Sequence, residues 1–350
     1  MNNAPDASVF SRRAALGVAG AGLAATVGGR LAPGTHAQEA TPFPDPTVTD
    51  SLSVEIMQTF RALPGTTGIK LWAPAMAGRP EWSVAQSPDE QMFIASAFKG
   101  FVLAEVLRQV EAAADPATAL QQLLPLDQSV YSLDSSVFNP PHLTGEVSLR
   151  TAMEAMISHS DNTGTDIVLK HAGAERVQAF IDDLGLPQTR IPTSTRQFIG
   201  YIMGLHDWQN TTWAQLEASE FPDPRPIIND TITMASSAAD LVSFYSRSLT
   251  GEVFQHASTL ATFRTTLTMA DAVPMAIPLG ADGFGKGGAI SANGHHALTF
   301  AGGMYVPDRW VYFALLLNWT DADGDAAEIQ GAYIDAAHSV FTLVRDAFTR

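Results

Sequence analysis

The chain contains no cysteine. That excludes disulfides, thiol nucleophiles, cysteine-ligated zinc and a lipidated N-terminal cysteine. Lysine is nearly as scarce, with four residues against 16 arginines. Positive charge as a whole is short: 20 Lys and Arg face 36 Asp and Glu over 350 residues, a formal net charge of −16. Nucleic acids and anionic membranes are bound through basic patches, so neither is expected as a partner. The nine histidines show no H-x-H or H-E-x-x-H spacing. His295 and His296 are adjacent, so on a strand they point to opposite faces and share no ion. No metal and no other cofactor is expected. Beyond the first forty residues no apolar run is long enough to span a bilayer, and no internal repeat is visible.

What is present begins with a composite N-terminus. "SRRAALGVAGAGLAATVGGRLAPGTHAQEA" puts Arg12 and Arg13 ahead of a short Ala/Gly/Leu/Val run and small residues around Ala37. This is the charged, apolar, cleavable order of an export signal, and the paired arginines point to the twin-arginine route. We read 1–37 as that signal and the Pro-rich 38–50 as a linker. The mature protein is expected to be periplasmic or extracellular, monomeric and two charges more acidic than the full chain. With 46% hydrophobic residues, 51–350 can bury the core of one large or two intimately packed domains.

Periodicity organises that region. "SVEIMQTFRAL" reads as a short amphipathic helix, and "TTGIKLWAP" and "EWSVAQ" as strands joined by a turn at 78–80. Helical spacing runs through 97–113, 148–158, 164–172, 174–184 and 235–249. "GGAISANGHHALTFAGGMYVPDRWVYFALLLNW" holds three strands, turned at Asn293-Gly294, where both positions favour φ > 0, and at Pro307-Asp308. "AYIDAAHSVFTLVRDAF" closes the chain as a helix. Strands at both chain ends with helices between them predict an α+β fold. One antiparallel sheet flanked by helices is built from 51–95 and 255–350, with an inserted all-α part at 96–254 and a ligand crevice between the two.

Two residues of the apolar stretch "FIASAFKGFVLAEV" do not belong in a core: Ser96 and Lys99. Residues i and i+3 of a helix share a face, which brings an amine within reach of a hydroxyl. A helix N-terminus and a neighbouring cation both favour the neutral amine, a competent base for serine. Alone, the pair equally describes a lysine that runs its stem through apolar surroundings. Further on come Ser160-Asp161-Asn162, residue types that also suit a helix N-cap, and then Lys286-Gly287-Gly288 in "FGKGGAI", which also suits a turn. Two of four lysines thus fall in this ordered set.

Ser-x-x-Lys, Ser-Asp-Asn and Lys-x-Gly in that order resemble the class A β-lactamase-like serine hydrolases and penicillin-binding proteins. The likeness extends over nearly the whole region after the linker. It implies a serine transpeptidase-type fold and an acyl-enzyme mechanism on a small-molecule β-lactam, ester or amide. Ser96 would be acylated and Lys99 would help activate it. Ser160 would pass the proton to the leaving group, Lys286 would hold a favourable field, and Asn162 would bind the substrate amide. The backbone N–H groups of Ser96 and Ala289 would form the oxyanion hole, with Gly287 and Gly288 lining the substrate.

Two departures bear on substrate. Gly287 stands where the family has a carboxylate-binding Thr or Ser; losing a hydrogen bond to a charged group costs about 1.5–3 kcal/mol, for which Arg264 is a candidate replacement. The family's Glu-x-x-Leu-Asn, whose glutamate activates the deacylating water, is absent from the segment 191–231. Glu217, 13 residues before Asp230, has about the right spacing for that base but the wrong neighbours. The sequence therefore leaves three readings: a β-lactamase, an esterase of the same fold, or a penicillin-binding or sensing protein that stays acylated. A D-alanyl carboxypeptidase is disfavoured by Gly287.

Overall fold

The computed structural model describes residues 50–349. The expected export signal at 1–37 and all but the last residue of the linker lie outside them. Helix α1 (Ser51–Arg61) starts where Asp50 accepts the Ser53 N–H at 2.8 Å, and it buries Ile56, Met57 and Phe60. Strands β1 (Thr66–Ala73) and β2 (Trp82–Gln86) follow, then the two-residue β3 (Met92–Phe93) and a 3₁₀ turn (Ala95–Phe98) leading into α2 (Lys99–Glu111). The middle of the chain carries α3 (Pro116–Leu120), β4 (Leu123–Leu126), β5 (Gly145–Ser148), α4 (Leu149–Ser158), α5 (Asn162–Ala172), α6 (Ala174–Asp183), α7 (Thr195–Ile202), α8 (Trp213–Ala218) and β6 (Ala235–Ser236). Then come α9 (Ala238–Thr250), α10 (Ala257–Thr268), α11 (Ala272–Ala276), β7 (Asp282–Ala292), β8 (His295–Val306), β9 (Arg309–Thr320) and α12 (Ala326–Phe348).

The main sheet runs β2-β1-β9-β8-β7, antiparallel throughout, so the two chain ends do complete one sheet. Both expected hairpins form. Asn293 and Gly294 each have positive φ, and Val306 pairs with Arg309 across Pro307-Asp308, where only Asp308 is left-handed. Central β9 is apolar on both sides because both sides are covered. Phe313, Leu315 and Leu317 join α1 and α12 in one apolar cluster. Tyr312, Ala314 and Leu316 join the larger helical cluster. Helix α9 lies against this second face, in contact with β8 and β9, although it falls within 96–254. Helix α10, in the segment expected to be sheet-bearing, packs on α2 and α4 as well as β7.

At the centre of the helical part, α2 buries eleven of its thirteen residues, among them the charged Lys99, Glu105 and Glu111. Its neighbours are α4, α5, α6 and α10. Helices α7, α8 and α11 have eight residues or fewer, too short for periodicity to announce them, and tertiary packing stabilises them rather than propensity; the twelve-residue α10 was not foreseen either.

Candidate active site

Ser96 does not sit within the α-helix that the spacing predicts. It lies in the 3₁₀ turn, and α2 begins at Lys99, whose N–H bonds the Ser96 carbonyl. In a 3₁₀ turn residues i and i+3 eclipse, so the two side chains still share one side. Ala95, just before, is held at φ +45°. A non-glycine residue costs energy in that region and is kept there by its surroundings, which are visible on three sides. Asn318 of β9, buried, clamps Phe93 at both ends: its Oδ1 accepts the Phe93 N–H and its Nδ2 donates to the Phe93 carbonyl, both at 2.9 Å. Ile94 N–H donates to Met234 O at 2.8 Å, beside the β3–β6 pair. On the third side is Gly288, where a Cβ would stand 2.3 Å from Ile94 O and 2.8 Å from the Ser96 and Ala97 nitrogens. Glycine is required there because strand backbone meets turn backbone.

The Ser160-Asp161-Asn162 stretch is the helix cap foreseen for it, and its two flanking residues face Lys99. Buried Asp161 caps α5, accepting Gly164 N–H at 2.7 Å, and also takes the Val137 and Phe138 N–H groups at 2.9 and 3.1 Å. Ser160, left-handed at φ +55°, and Asn162 turn instead toward Lys99. The Lys99 amine is fully buried and donates to Ser160 O at 2.6 Å and Asn162 Oδ1 at 2.8 Å, with Ser160 Oγ at 3.1 Å. Asn162 Nδ2 donates to Leu133 O, which fixes the amide with its oxygen toward the lysine. Burial pulls the Lys99 amine well below the usual lysine range and the Lys286 cation adds to this; Asp161, Asp166 and Asp134 pull the other way. A neutral amine has two N–H bonds and one lone pair. The two carbonyl-type oxygens only accept from the amine, whereas the Ser160 hydroxyl, which also accepts from it here, can return a proton to the lone pair once the amine is neutral.

Lys286, on β7 and 1% exposed, donates to Gly287 O at 2.8 Å. Burial lowers its amine to about 8, with Asp271 partly offsetting this. Ala289 lies one residue beyond Gly288 on the same edge strand. Gly287 has a local reason: a Cβ there would stand 2.7 Å from Ala272 Cβ on α11, so the missing hydroxyl residue has no room with α11 in this place.

Other candidates fall elsewhere. Arg264 does not replace the hydroxyl: its guanidinium bonds the Leu249 carbonyl and lies over the Trp310 ring. Glu217 is exposed on α8, with no hydrogen bond to Ser96, Lys99, Ser160 or Lys286 among the described residues. Thr195, the first residue of α7, packs behind Asn162, its Oγ1 3.3 Å from Asn162 O and 2.9 Å from both Ser132 Oγ and Asp166 Oδ1. Asp166 also accepts the Thr195 and Arg196 N–H groups at 2.7 and 3.1 Å; burial raises its carboxyl to about 6 against those bonds. Sequence reasoning missed this anchor, although Ser194, the cap of α7, was a readable start signal. Among the described residues no group of three or more His, Asp or Glu gathers to hold a metal ion.

This arrangement can be set beside known proteins. No curated protein matches the chain. Solved structures share its fold at low identity: PBP-A (17% identical, TM-score 0.64, covering 88% of this chain and 99% of that one) and a penicillin G acyl-enzyme complex of a PBP-A mutant (17%, 0.63, 85% and 96%). The class A β-lactamase from Mycobacterium abscessus is 18% identical, with a TM-score of 0.61 over 85% of this chain and all of that one. The profile of the Beta-lactamase enzyme family matches residues 52–296, from α1 through the β7–β8 hairpin and across every residue of the Ser96 cleft, and the chain belongs to that family.

Proposed function

We propose that the protein is an exported serine hydrolase that works through an acyl-Ser96 intermediate on a small β-lactam amide or a related ester. The observation that carries this is the Lys99 amine, stripped of water and bonded to the Ser160-Asn162 pair one 3₁₀ turn from Ser96. In this reading Ser96 Oγ bonds to the carbonyl carbon while its proton passes to neutral Lys99. The oxyanion forms against the N–H groups of Ser96 and Ala289, a contribution of roughly 3–4 kcal/mol per donor. The bond to the leaving nitrogen or oxygen then breaks, and that atom takes a proton from Ser160 Oγ, replenished from Lys99. Lys286 keeps positive charge beside the transfer and orients an anionic group. Asn162 has a second N–H for the substrate amide, and the Gly287–Gly288 backbone lines the substrate.

The penicillin G acyl-enzyme solved on the PBP-A version of this fold supports acylation as the first step. Turnover is the weaker half. Thr195 and the committed Asp166 stand behind Asn162, and exposed Glu217 makes no bond to the site, so deacylation is assigned to water without a dedicated glutamate. Gly287 favours esters of uncharged acids over carboxylate-bearing substrates. The same reading takes 51–95 and 255–350 as the sheet-bearing part, 96–254 as the helical part, and the chain as a monomer exported by the twin-arginine route.

An intact-mass time course of residues 38–350 with penicillin G tests the proposal, with free penicilloate assayed in parallel. The expected result is an adduct of the penicillin mass, mapped to Ser96, absent in Ser96→Ala and lost slowly. No adduct with penicillin G or with aryl esters would overturn acyl-Ser96 chemistry. Loss as fast as formation, with penicilloate accumulating, would overturn the unassisted deacylation and require a base.

A further inference from the structure

We infer that Ser291, His296 and Asp321 form a second nucleophilic site, a Ser–His–Asp relay at the β7–β8 hairpin that takes acyl or phosphoryl groups from small activated esters. Ser291 and His296 are cross-strand partners, and Trp319 is the partner of His296 on β9. The imidazole lies parallel to the Trp319 indole, 5.0 Å between centroids and 19° between planes, and is only 6% exposed. Its position is therefore fixed from one side by stacking. At its two nitrogens, His296 Nδ1 is 2.8 Å from Ser291 Oγ, and Nε2 is 2.6 Å from Asp321 Oδ1.

That order determines the tautomer. A carboxylate oxygen only accepts, so in the neutral imidazole, the form that activates a serine, Nε2 carries the ring proton and Nδ1 keeps its lone pair for the Ser291 O–H. This is the protonation pattern of a serine activated by histidine, with the two ring nitrogens used in the opposite sense to the serine-protease triad. Asp321 is itself held, its N–H donating to Gly294 O at 3.1 Å. The left-handed Gly294 adds to this, since a Cβ there would stand 3.2 Å from Asp321 Oδ2. Ser291 is exposed on β7, the edge strand of the sheet. An edge strand directs alternate N–H groups outward with no strand to receive them, so one lies within a residue of Ser291 to meet an oxyanion. The Asp321 side chain is 74% exposed, which restricts the relay to substrates with good leaving groups. It shares no hydrogen bond with Lys99, Ser160, Asn162 or Lys286, although Ser291 follows Ala289 by only two residues on β7.

With an aryl ester, Ser291 Oγ bonds to the carbonyl carbon as its proton moves to His296 Nδ1. The carbon–aryloxide bond breaks and the aryloxide leaves with that proton. Water then adds to acyl-Ser291, giving its proton to Nδ1; the carbon–Oγ bond breaks and Oγ takes the proton back, releasing the acid. With a fluorophosphonate the Oγ–P bond forms, fluoride leaves with the proton, and the adduct is stable.

The test treats the full mature chain carrying Ser96→Ala with an alkyl fluorophosphonate, followed by intact mass and peptide mapping. One adduct on Ser291 is expected, absent when Ser291→Ala is added and formed about a hundredfold more slowly when His296→Gln is added. Should the buried His296→Gln variant fail to fold, Asp321→Asn on the exposed partner gives the same comparison through a slower rate. Absence of an adduct on Ser291, or a rate that neither variant changes, overturns the inference. The Ser96→Ala background keeps this outcome separate from the fate of the Ser96 reading.

Discussion

In the proposed mechanism the chemistry turns on Lys99 and Lys286, both fully buried lysines. For Lys99 the consequence is a base: acylation should rise with pH as its depressed amine loses its proton. For Lys286 it is a limit. In that mechanism its cation stands beside the proton transfer and is lost as pH rises through about 8, so acylation should fall above that pH. A bell-shaped acylation rate against pH is expected, with the alkaline limb near 8, measured by mass or with a chromogenic ester. Arginine does not deprotonate in this range, so Lys286→Arg should flatten the alkaline limb even where it lowers the overall rate. An unchanged limb would assign it to another group. Ser96, Lys99, Ser160, Asn162 and Lys286 were readable from residue type and order. Thr195 and Asp166 were not, because their roles consist of contacts between segments distant in sequence. The same holds for the His296 row: adjacency of two histidines excluded a shared ion but said nothing of Ser291 five residues before or Asp321 after the next strand.

The elements decide how those side chains meet. The 3₁₀ turn carrying Ser96 lies against β7 and β8, and Asn318 of β9 and Met234, just before β6, hold the residues leading into it; these contacts can be withdrawn separately. Gly288→Ala introduces a Cβ inside the contact distance of Ile94 O and Ser96 N. It should push β7 from the turn, displace the Ala289 N–H and slow acylation by roughly a hundredfold while the fold persists, in line with loss of one oxyanion donor. Far-UV dichroism with acylation kinetics checks this. Asn318→Ala leaves the Phe93 N–H and carbonyl buried without partners, a cost of about 2–4 kcal/mol, read as a lower denaturant midpoint at unchanged slope. The sheet strands and their turns were legible because short apolar runs and the Asn-Gly and Pro-Asp turns that bound them are local signals. The 3₁₀ turn was not, since "FIASAF" carries the same apolar pattern as a helical turn, and only the surrounding strands hold Ala95 left-handed.

At the scale of the molecule, the two apolar clusters share one sheet, with β9 contributing alternate residues to each. The two clusters are thus tied through one strand. Unfolding of residues 38–350 in urea is therefore expected to be one transition, with tryptophan fluorescence and far-UV dichroism superimposing; separated midpoints would show that the helical part melts alone. No described helix is long and apolar enough to cross a membrane. The sequence by itself determined what depends on residue chemistry and local period: a cysteine-free acidic chain, a sheet completed from both ends, and a serine–lysine pair in company with Ser160, Asn162 and Lys286. Only the tertiary structure decided which groups are stripped of water and which backbones touch. It placed Lys99 among two carbonyl-type oxygens and a hydroxyl, left Gly287 no room for a side chain, stacked Arg264 on Trp310 away from the cleft, and set Thr195 rather than a glutamate behind Asn162. Burial and close approach are properties of the packed whole, set by separate segments such as those of Lys99 and Asn162, 63 residues apart, and no local pattern encodes them.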